Sequence, residues 1–207
     1  ASGLAMTGKT VYFNTIATFI TRRCLEQNII DLGLSDVKVR LLGSGGGLVY
    51  APLGPTHLAT EDLALMRAIP NMTIVAPCDA EEMERAMMAS ERLPGPLYVR
   101  IAKGGEAVVS KPEQGFEFGK AIVHRPAGDL LFVTTGVMLS RALEAAQALE
   151  IEGISAGILH AHTVKPFDAP ALLEQAAKAK VVISLEEHTL AGGLGSIVAE
   201  VLAEHAF

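Results

Sequence analysis

Short apolar runs with the spacing of strands alternate with segments of helical period along most of this chain. Thr10–Phe19 (TVYFNTIATF) is rich in β-branched and aromatic residues, and Val37–Gly43 (VKVRLLG) alternates polar with apolar positions, so both predict strands. Between them ITRRCLEQNIIDLG predicts a helix stopped by Gly33. EDLALMRAI has acids in its first turn and Pro70 as its stop, the punctuation of another helix. Strand MTIVAP, helix DAEEMERAMMASER and strand PLYVRI follow. From Lys103 to Gly119 the pattern lapses: four glycines and a proline, no helical period and no obvious core predict a linker. The alternation then restarts with strand DLLFVTTG, helix MLSRALEAAQALEIEG closed by Gly153, strand ISAGILH, helix APALLEQAAKA, strand KVVISLEEH and helix GSIVAEVLAEHA. Repeated strand–helix–strand units predict the α/β class, as two consecutive three-layer domains with mostly parallel sheets. The boundaries fall at residues 1–103, a linker at 104–118, and residues 119–207.

Composition narrows the setting. The 207 residues are 50% hydrophobic and only 19% charged, which predicts apolar surface covered by a partner. The apolar runs, roughly 4–8 residues long, fall short of the ~20 needed to span a bilayer. No basic-then-apolar leader opens the sequence. Neither a membrane nor a secretory reading is supported. A formal charge of −6 without a basic tract argues against nucleic acid. Cys24 and Cys78 suggest neither a disulfide framework nor metal spacing, and point to a reducing, cytoplasmic setting.

Glycines and histidines are the first candidates for chemistry. GSGGG (Gly43–Gly47) follows a strand as a phosphate cradle would, but lacks the Lys-Ser/Thr of a P-loop, and no helix begins at its end. AGGLGS (Ala191–Ser196) opens a helix whose N–H groups could receive an anion, although close strand–helix packing explains the glycines as well. In HAHT, His160 and His162 lack a third ligand within reach in sequence, so no metal is expected there. His57, in the GPTHL turn ahead of an acidic helix, is either a loop residue facing solvent or a group waiting for a substrate.

The stretch GGLVYAPLGPTHLATEDLALMRAIPNMTIVAPCDAEEMERA resembles the pyrimidine-binding domain of transketolases and deoxyxylulose-phosphate synthases, with its Gly-x-Thr-His turn, acidic helix and RAIPNM strand entry. TIATFITRRCLEQ is similar to that family's strand–loop–helix over the cofactor, and PLYVRIAKG to its substrate-arginine strand. HTVKPFD and EEHTLAGGLGSIVAEVLAE resemble the transketolase C-terminal domain. These segments stand in the family's order over nearly the whole chain.

The resemblance implies thiamine diphosphate with Mg2+ as cofactor, the metal and pyrophosphate ligands lying on another domain or chain. It also implies that ASGLAMTGK ends a helix whose catalytic glutamate lies just upstream of Ala1. That acid would shift the aminopyrimidine toward its imino tautomer. Residue by residue, His57 is implied as a catalytic and substrate-contacting imidazole, and Phe19 as the ring that stacks on the aminopyrimidine. Ile16 lines the same pocket where relatives carry an aromatic, and Arg22 borders it. Arg100 is implied as the donor to a substrate anion.

Two departures change the substrate picture. Sugar-phosphate transketolases carry a histidine twelve residues before the position of His57 and an aspartate four before it; here Gly45 and Leu53 stand there. The implied function is the C-terminal portion or small subunit of a transketolase-like enzyme. Such an enzyme transfers a ketol unit from a phosphorylated or otherwise anionic ketose to an aldehyde, and the chain alone is expected to be inactive. The alternative is a noncatalytic assembly or regulatory subunit of such an enzyme. The implied partner is a pyrophosphate-domain subunit or a second copy of the full enzyme, in a homodimer or heterotetramer.

Overall fold

The alternation of the sequence resolves into two sheets in the computed structural model, which describes residues 1–206. In chain order the first half contains α1 (Ser2–Ala5), β1 (Val11–Ile16), α2 (Ala17–Ile20), α3 (Leu25–Gln27), which runs into a π-helical segment at Asn28–Leu34, β2 (Val39–Ser44), α4 (Asp62–Arg67), β3 (Thr73–Val75), α5 (Ala80–Ser90) and β4 (Leu97–Ile101). The second half contains β5 (Ile122–Arg125), β6 (Leu130–Thr134), α6 (Met138–Ile151), β7 (Ala156–His160), β8 (Thr163–Lys165), α7 (Ala169–Ala176), β9 (Val181–Leu185) and α8 (Leu194–Glu204).

The first sheet has the order β1-β2-β4-β3-β8, parallel except for β8, which runs antiparallel to β3. The second has the order β5-β7-β6-β9, parallel except for β5. The mostly parallel α/β architecture expected from the sequence is therefore present. Strands β5 and β8, four and three residues long, were not anticipated. Strand β8 lies in the second half of the sequence yet extends the first sheet, with Ile74 opposite Lys165. The two halves share one continuous core: Leu63, Met66 and Ile74 belong to the same buried cluster as Leu131, Leu159, Leu172 and Ile197. Among the described residues no helix is long and apolar enough to cross a membrane.

Two local expectations are corrected. The strand expected over Thr10–Phe19 stops at Ile16, and Phe19 sits on α2. The helix expected to run on to Gly33 is broken at Thr21–Cys24. Side chains hold the break: the Thr21 hydroxyl donates to the Ala17 carbonyl at 2.8 Å, and the Asn28 amide and Cys24 thiol both donate to the Ile20 carbonyl. At the Ile20 carbonyl these side chains stand in for a backbone donor, the competition that makes such residues poor helix formers.

The linker is anchored rather than loose. Phe116 and Phe118 pack against the cluster of Val75, Leu97 and Val99, and Val109 packs against the core of the second half. Asp79, the N-cap of α5, ties it down: Oδ1 accepts from the Glu82 N–H at 2.9 Å and the Ser110 hydroxyl at 2.8 Å, while Oδ2 accepts from the Val109 and Ser110 N–H groups at 2.7 and 2.6 Å. Burial pushes this carboxyl up, but the donors from Glu82, Ser110 and Val109 outweigh it and bring the pKa down to about 2. A depressed carboxylate contributes stability that is present above its unfolded value of about 4 and is lost as pH falls toward the folded value. Asp79→Ala is expected to cost about 2 kcal/mol at neutral pH, cap and linker together. The difference from the parent should shrink between about pH 4 and pH 2, as measured by urea unfolding across that range.

Candidate functional site

Because β1, β2, β3 and β4 are parallel, the loops leaving their C-terminal ends gather along one edge of the sheet, where ligands of open α/β sheets bind. Ile16 closes β1 opposite Ser44 and is the N-cap of α2, half-buried. Phe19 follows on α2, and Arg22 on the turn beyond it. His57 lies on the long loop after β2, and Arg100 near the end of β4. The fold thus gathers residues separated by as many as 84 positions, from Ile16 to Arg100, at one sheet edge.

His57 is half-buried, and its ring meets Phe19 edge-on with centroids 5.2 Å apart. The turn that presents it closes through the His57 N–H onto the Gly54 carbonyl at 3.0 Å, with Gly54 at φ +81, a conformation that favours glycine. Nδ1 pairs with the Thr56 hydroxyl at 2.9 Å; Nε2 has no partner among the described residues. Phe19 is half-buried, and the Arg23 guanidinium lies 3.8 Å over its ring.

The arginines turn out to hold this loop. Arg22 pairs with Glu61, donates from Nη1 to the Pro55 carbonyl at 3.1 Å and from Nη2 to the Leu58 carbonyl at 2.8 Å. Its three nitrogens grip the segment that carries His57. Arg100, 8% exposed, donates from Nε to Asp62 at 2.9 Å and from Nη2 to the carbonyls of Ala59 at 3.1 Å and Glu187 at 2.7 Å. Most of the fork expected to meet a substrate anion is turned inward; only Nη1 lacks a protein partner among the described residues. Burial lowers the Arg100 pKa, but Asp62 more than reverses this and raises it. Asp62 also accepts from the Tyr98 hydroxyl at 2.8 Å. Arg100 further lines a cavity of about 190 Å3 with Cys78, Met83, Ile101 and Val137, where the two halves of the chain meet.

Neither glycine run offers an anion site. A Cβ at Gly45 would lie 2.1 Å from the Tyr50 ring, one at Gly46 2.5 Å from Arg100 Cγ, and one at Gly47 2.4 Å from Glu187 Oε2. The turn is glycine-rich because those side chains fill it. At the start of α8 the Leu194 and Gly195 N–H groups donate to the Glu186 carboxylate at 2.6 and 2.7 Å, so the chain's own acid occupies that helix N-terminus.

Asp62, Glu187, Tyr50 and Tyr98 are parts of the site that sequence reasoning missed. Asp62 was legible only as a helix-start acid, since nothing in EDLALMRAI marks a partner 38 residues away. The histidines His160 and His162 gain neighbours the sequence did not reveal. Glu82 reaches His160 Nε2 at 3.0 Å with both side chains fully buried, and His124 stands beside them with its ring centroid 5.9 Å from that of His160.

Family models match both halves of the chain: residues 1–105 match the transketolase pyrimidine binding domain and residues 119–207 the transketolase C-terminal domain. The chain is 36% identical over 205 residues to the 6-deoxy-6-sulfo-D-fructose transketolase subunit of a Clostridium species, covering 99% of this chain and 64% of that protein. It is 37% identical over 207 residues to an apulose-4-phosphate transketolase subunit of Phocaeicola vulgatus, covering 99% of this chain and 66% of that one. Among solved structures it is similar to a split-gene transketolase described as an inactive beta4 tetramer, with a TM-score of 0.91, 36% identity and coverage of 99% and 66%. The chain therefore spans 64–66% of the length of these relatives.

Proposed function

The chain belongs to the transketolase family, both of whose matching models it carries, and from that premise we propose that it forms the C-terminal portion or small subunit of a thiamine-diphosphate-dependent ketol transferase. The observation that carries the reading is His57, an imidazole with an unpartnered Nε2, set against Phe19 on a loop gripped by Arg22 and Arg100. The relatives whose names specify substrates act on a sulfonated and a phosphorylated sugar. An anionic ketose as donor and an aldehyde as acceptor, in the cytoplasm, fit that company.

These residues suit one part of the cofactor. Phe19 offers a flat, half-buried ring and His57 a hydrogen-bonding edge, a pairing that fits an aminopyrimidine. The pyrophosphate and its Mg2+ find no equivalent among the described residues, since the glycine turn is packed and the α8 N-terminus is filled by Glu186. Glu61 and Asp62, the acids that follow His57 in the chain, are held by Arg22 and Arg100, so neither is free to act on the aminopyrimidine. We assign the acid, the pyrophosphate site and the metal to another segment or chain: a pyrophosphate-domain subunit, or a second copy in a homodimer or heterotetramer. Edge strand β1 exposes 43% of Tyr12 and 47% of Phe13, apolar surface that such a partner would cover.

When bound, thiamine diphosphate supplies the electron sink for carbon–carbon cleavage. His57 donates through Nε2 to the substrate oxygen on which charge develops, and Thr56 steadies its ring through Nδ1. Arg100 is a positioning residue for that loop through the Ala59 carbonyl, and offers Nη1 to the substrate's anionic group. The second reading, an assembly subunit without chemistry, draws on the inward-turned guanidinium of Arg100 and on the Tyr50 ring packed at Gly45.

Calorimetry with thiamine diphosphate and Mg2+ separates these readings when paired with a ketol-transfer assay. The expected result is weak binding by this chain alone, with tight binding and turnover once a pyrophosphate-domain subunit is added. Tight binding without turnover in the mixture would support the assembly reading. Tight binding by the isolated chain would overturn the divided site.

A further inference from the structure

We propose that Cys78, Glu82 and His160 form a buried site for a divalent transition metal of the zinc class, clasping the two halves of the chain together. The three side chains each offer one ligand atom, and those atoms lie within 4.8 Å of one another. Cys78 follows β3 and Glu82 lies in the first turn of α5, both in the first half, while His160 ends β7 in the second sheet. All three are buried, Cys78 at 2% exposure and the other two at 0%.

Hydrogen bonding within the cluster leaves ligand capacity unused. His160 Nε2 pairs with Glu82 Oε2 at 3.0 Å, and the same oxygen accepts from the Cys78 N–H at 2.7 Å. Glu82 Oε1 and His160 Nδ1 are both buried with no hydrogen-bond partner. Buried polar atoms are rarely left so, because each costs free energy comparable to a lost hydrogen bond. Nε2 is the ring nitrogen that faces Glu82, so the capacity a cation would satisfy here is the unpartnered Glu82 Oε1, beside Nε2 and the Cys78 thiol.

The chemistry selects the ion. A mixed sulfur, nitrogen and oxygen set suits Zn2+, with bonds of roughly 2.0–2.3 Å in tetrahedral geometry. A thiolate and a carboxylate balance a dication, leaving a neutral complex in a buried place. On binding, the thiol proton of Cys78 is released to solvent and Sγ takes the metal in its place; nothing is oxidised. Three protein ligands leave the fourth position to water. His57 is not part of this cluster, whose assignment does not depend on the ketol-transfer reading.

The test uses the protein stripped with a chelator and then given Zn2+ or Co2+ alone. One equivalent of zinc should survive gel filtration, and cobalt should give a thiolate-to-metal charge-transfer band in the near ultraviolet. Cys78→Ser should abolish that band and weaken zinc binding at least ~100-fold, more than loss of a group that merely hydrogen-bonds a ligand does; His160→Gln should weaken zinc binding similarly. Cys24→Ser, at the other cysteine, should change neither. X-ray absorption of the zinc-loaded parent protein should show one sulfur bound to the metal, a readout that does not require the variants to fold. Failure to retain zinc, a zinc ion without a sulfur ligand, or an unchanged cobalt spectrum in Cys78→Ser would each overturn the proposal.

Discussion

Asp62→Ala is expected to destabilise the protein by about 4 kcal/mol, a large part of the 5–15 kcal/mol that holds a typical domain folded. Asp62 is 1% exposed, and its Oδ2 accepts from both Arg100 and Tyr98. Removing the carboxylate leaves a guanidinium at 8% exposure without its counter-charge and a fully buried phenol without an acceptor. Stranding a buried charge costs about 3–5 kcal/mol, whereas replacing both partners with apolar groups of similar volume is often neutral. The double variant Asp62→Leu/Arg100→Met should therefore recover most of what Asp62→Ala loses. Urea unfolding measures both. A loss below about 1 kcal/mol for Asp62→Ala would mean that the pair contributes little and that the His57 loop is held chiefly by Arg22.

The same pair shows where sequence reading stopped. Strand and helix identities were legible because each depends on periodicity within a few residues, and the parallel arrangement follows from their alternation. The alternation of Val37–Gly43 predicts a strand but not what its polar positions meet. Arg40 is fully buried on a strand with neighbours on both sides, and donates to the carbonyls of Ser90, the last residue of α5, and of Leu93 and Gly95 in the turn beyond it. Its acceptors are backbone oxygens, which no side-chain pattern announces. Phe19 was placed on a strand because ATF continues a β-branched run, yet the chain turns into α2 after Ile16. The Cys78, Glu82 and His160 cluster was hidden for a different reason: its members lie 82 residues apart in two halves that only the shared core brings together. His57, by contrast, was visible because the turn presenting it is local, from Gly54 to His57.

That local turn makes the second large effect specific. In the assembled enzyme His57→Ala is expected to lower turnover by roughly 10²–10³-fold, the range for loss of one donor to a developing oxyanion, with little change in cofactor affinity. The fold should be indifferent to the change. His57 is half-buried, its side chain hydrogen-bonds the Thr56 hydroxyl and meets the Phe19 ring, and the bond that closes the turn comes from its backbone N–H, which alanine retains. A surface change of this kind moves stability by about 0.5 kcal/mol or less, so the urea midpoint should stay near that of the parent. Phe19→Ala should show the opposite division: weaker thiamine diphosphate binding and a smaller effect on turnover once cofactor saturates, because a stacking partner contributes to binding before and after the chemical step alike. His57→Gln, which keeps a donor on a longer side chain, should regain part of the lost turnover. Saturating turnover, cofactor affinity and unfolding midpoint measured on the same three variants separate the roles. If His57→Ala weakened cofactor binding and left saturated turnover intact, the imidazole would belong with Phe19 as a wall of the pocket, and the proton at the substrate oxygen would have to come from the partner chain.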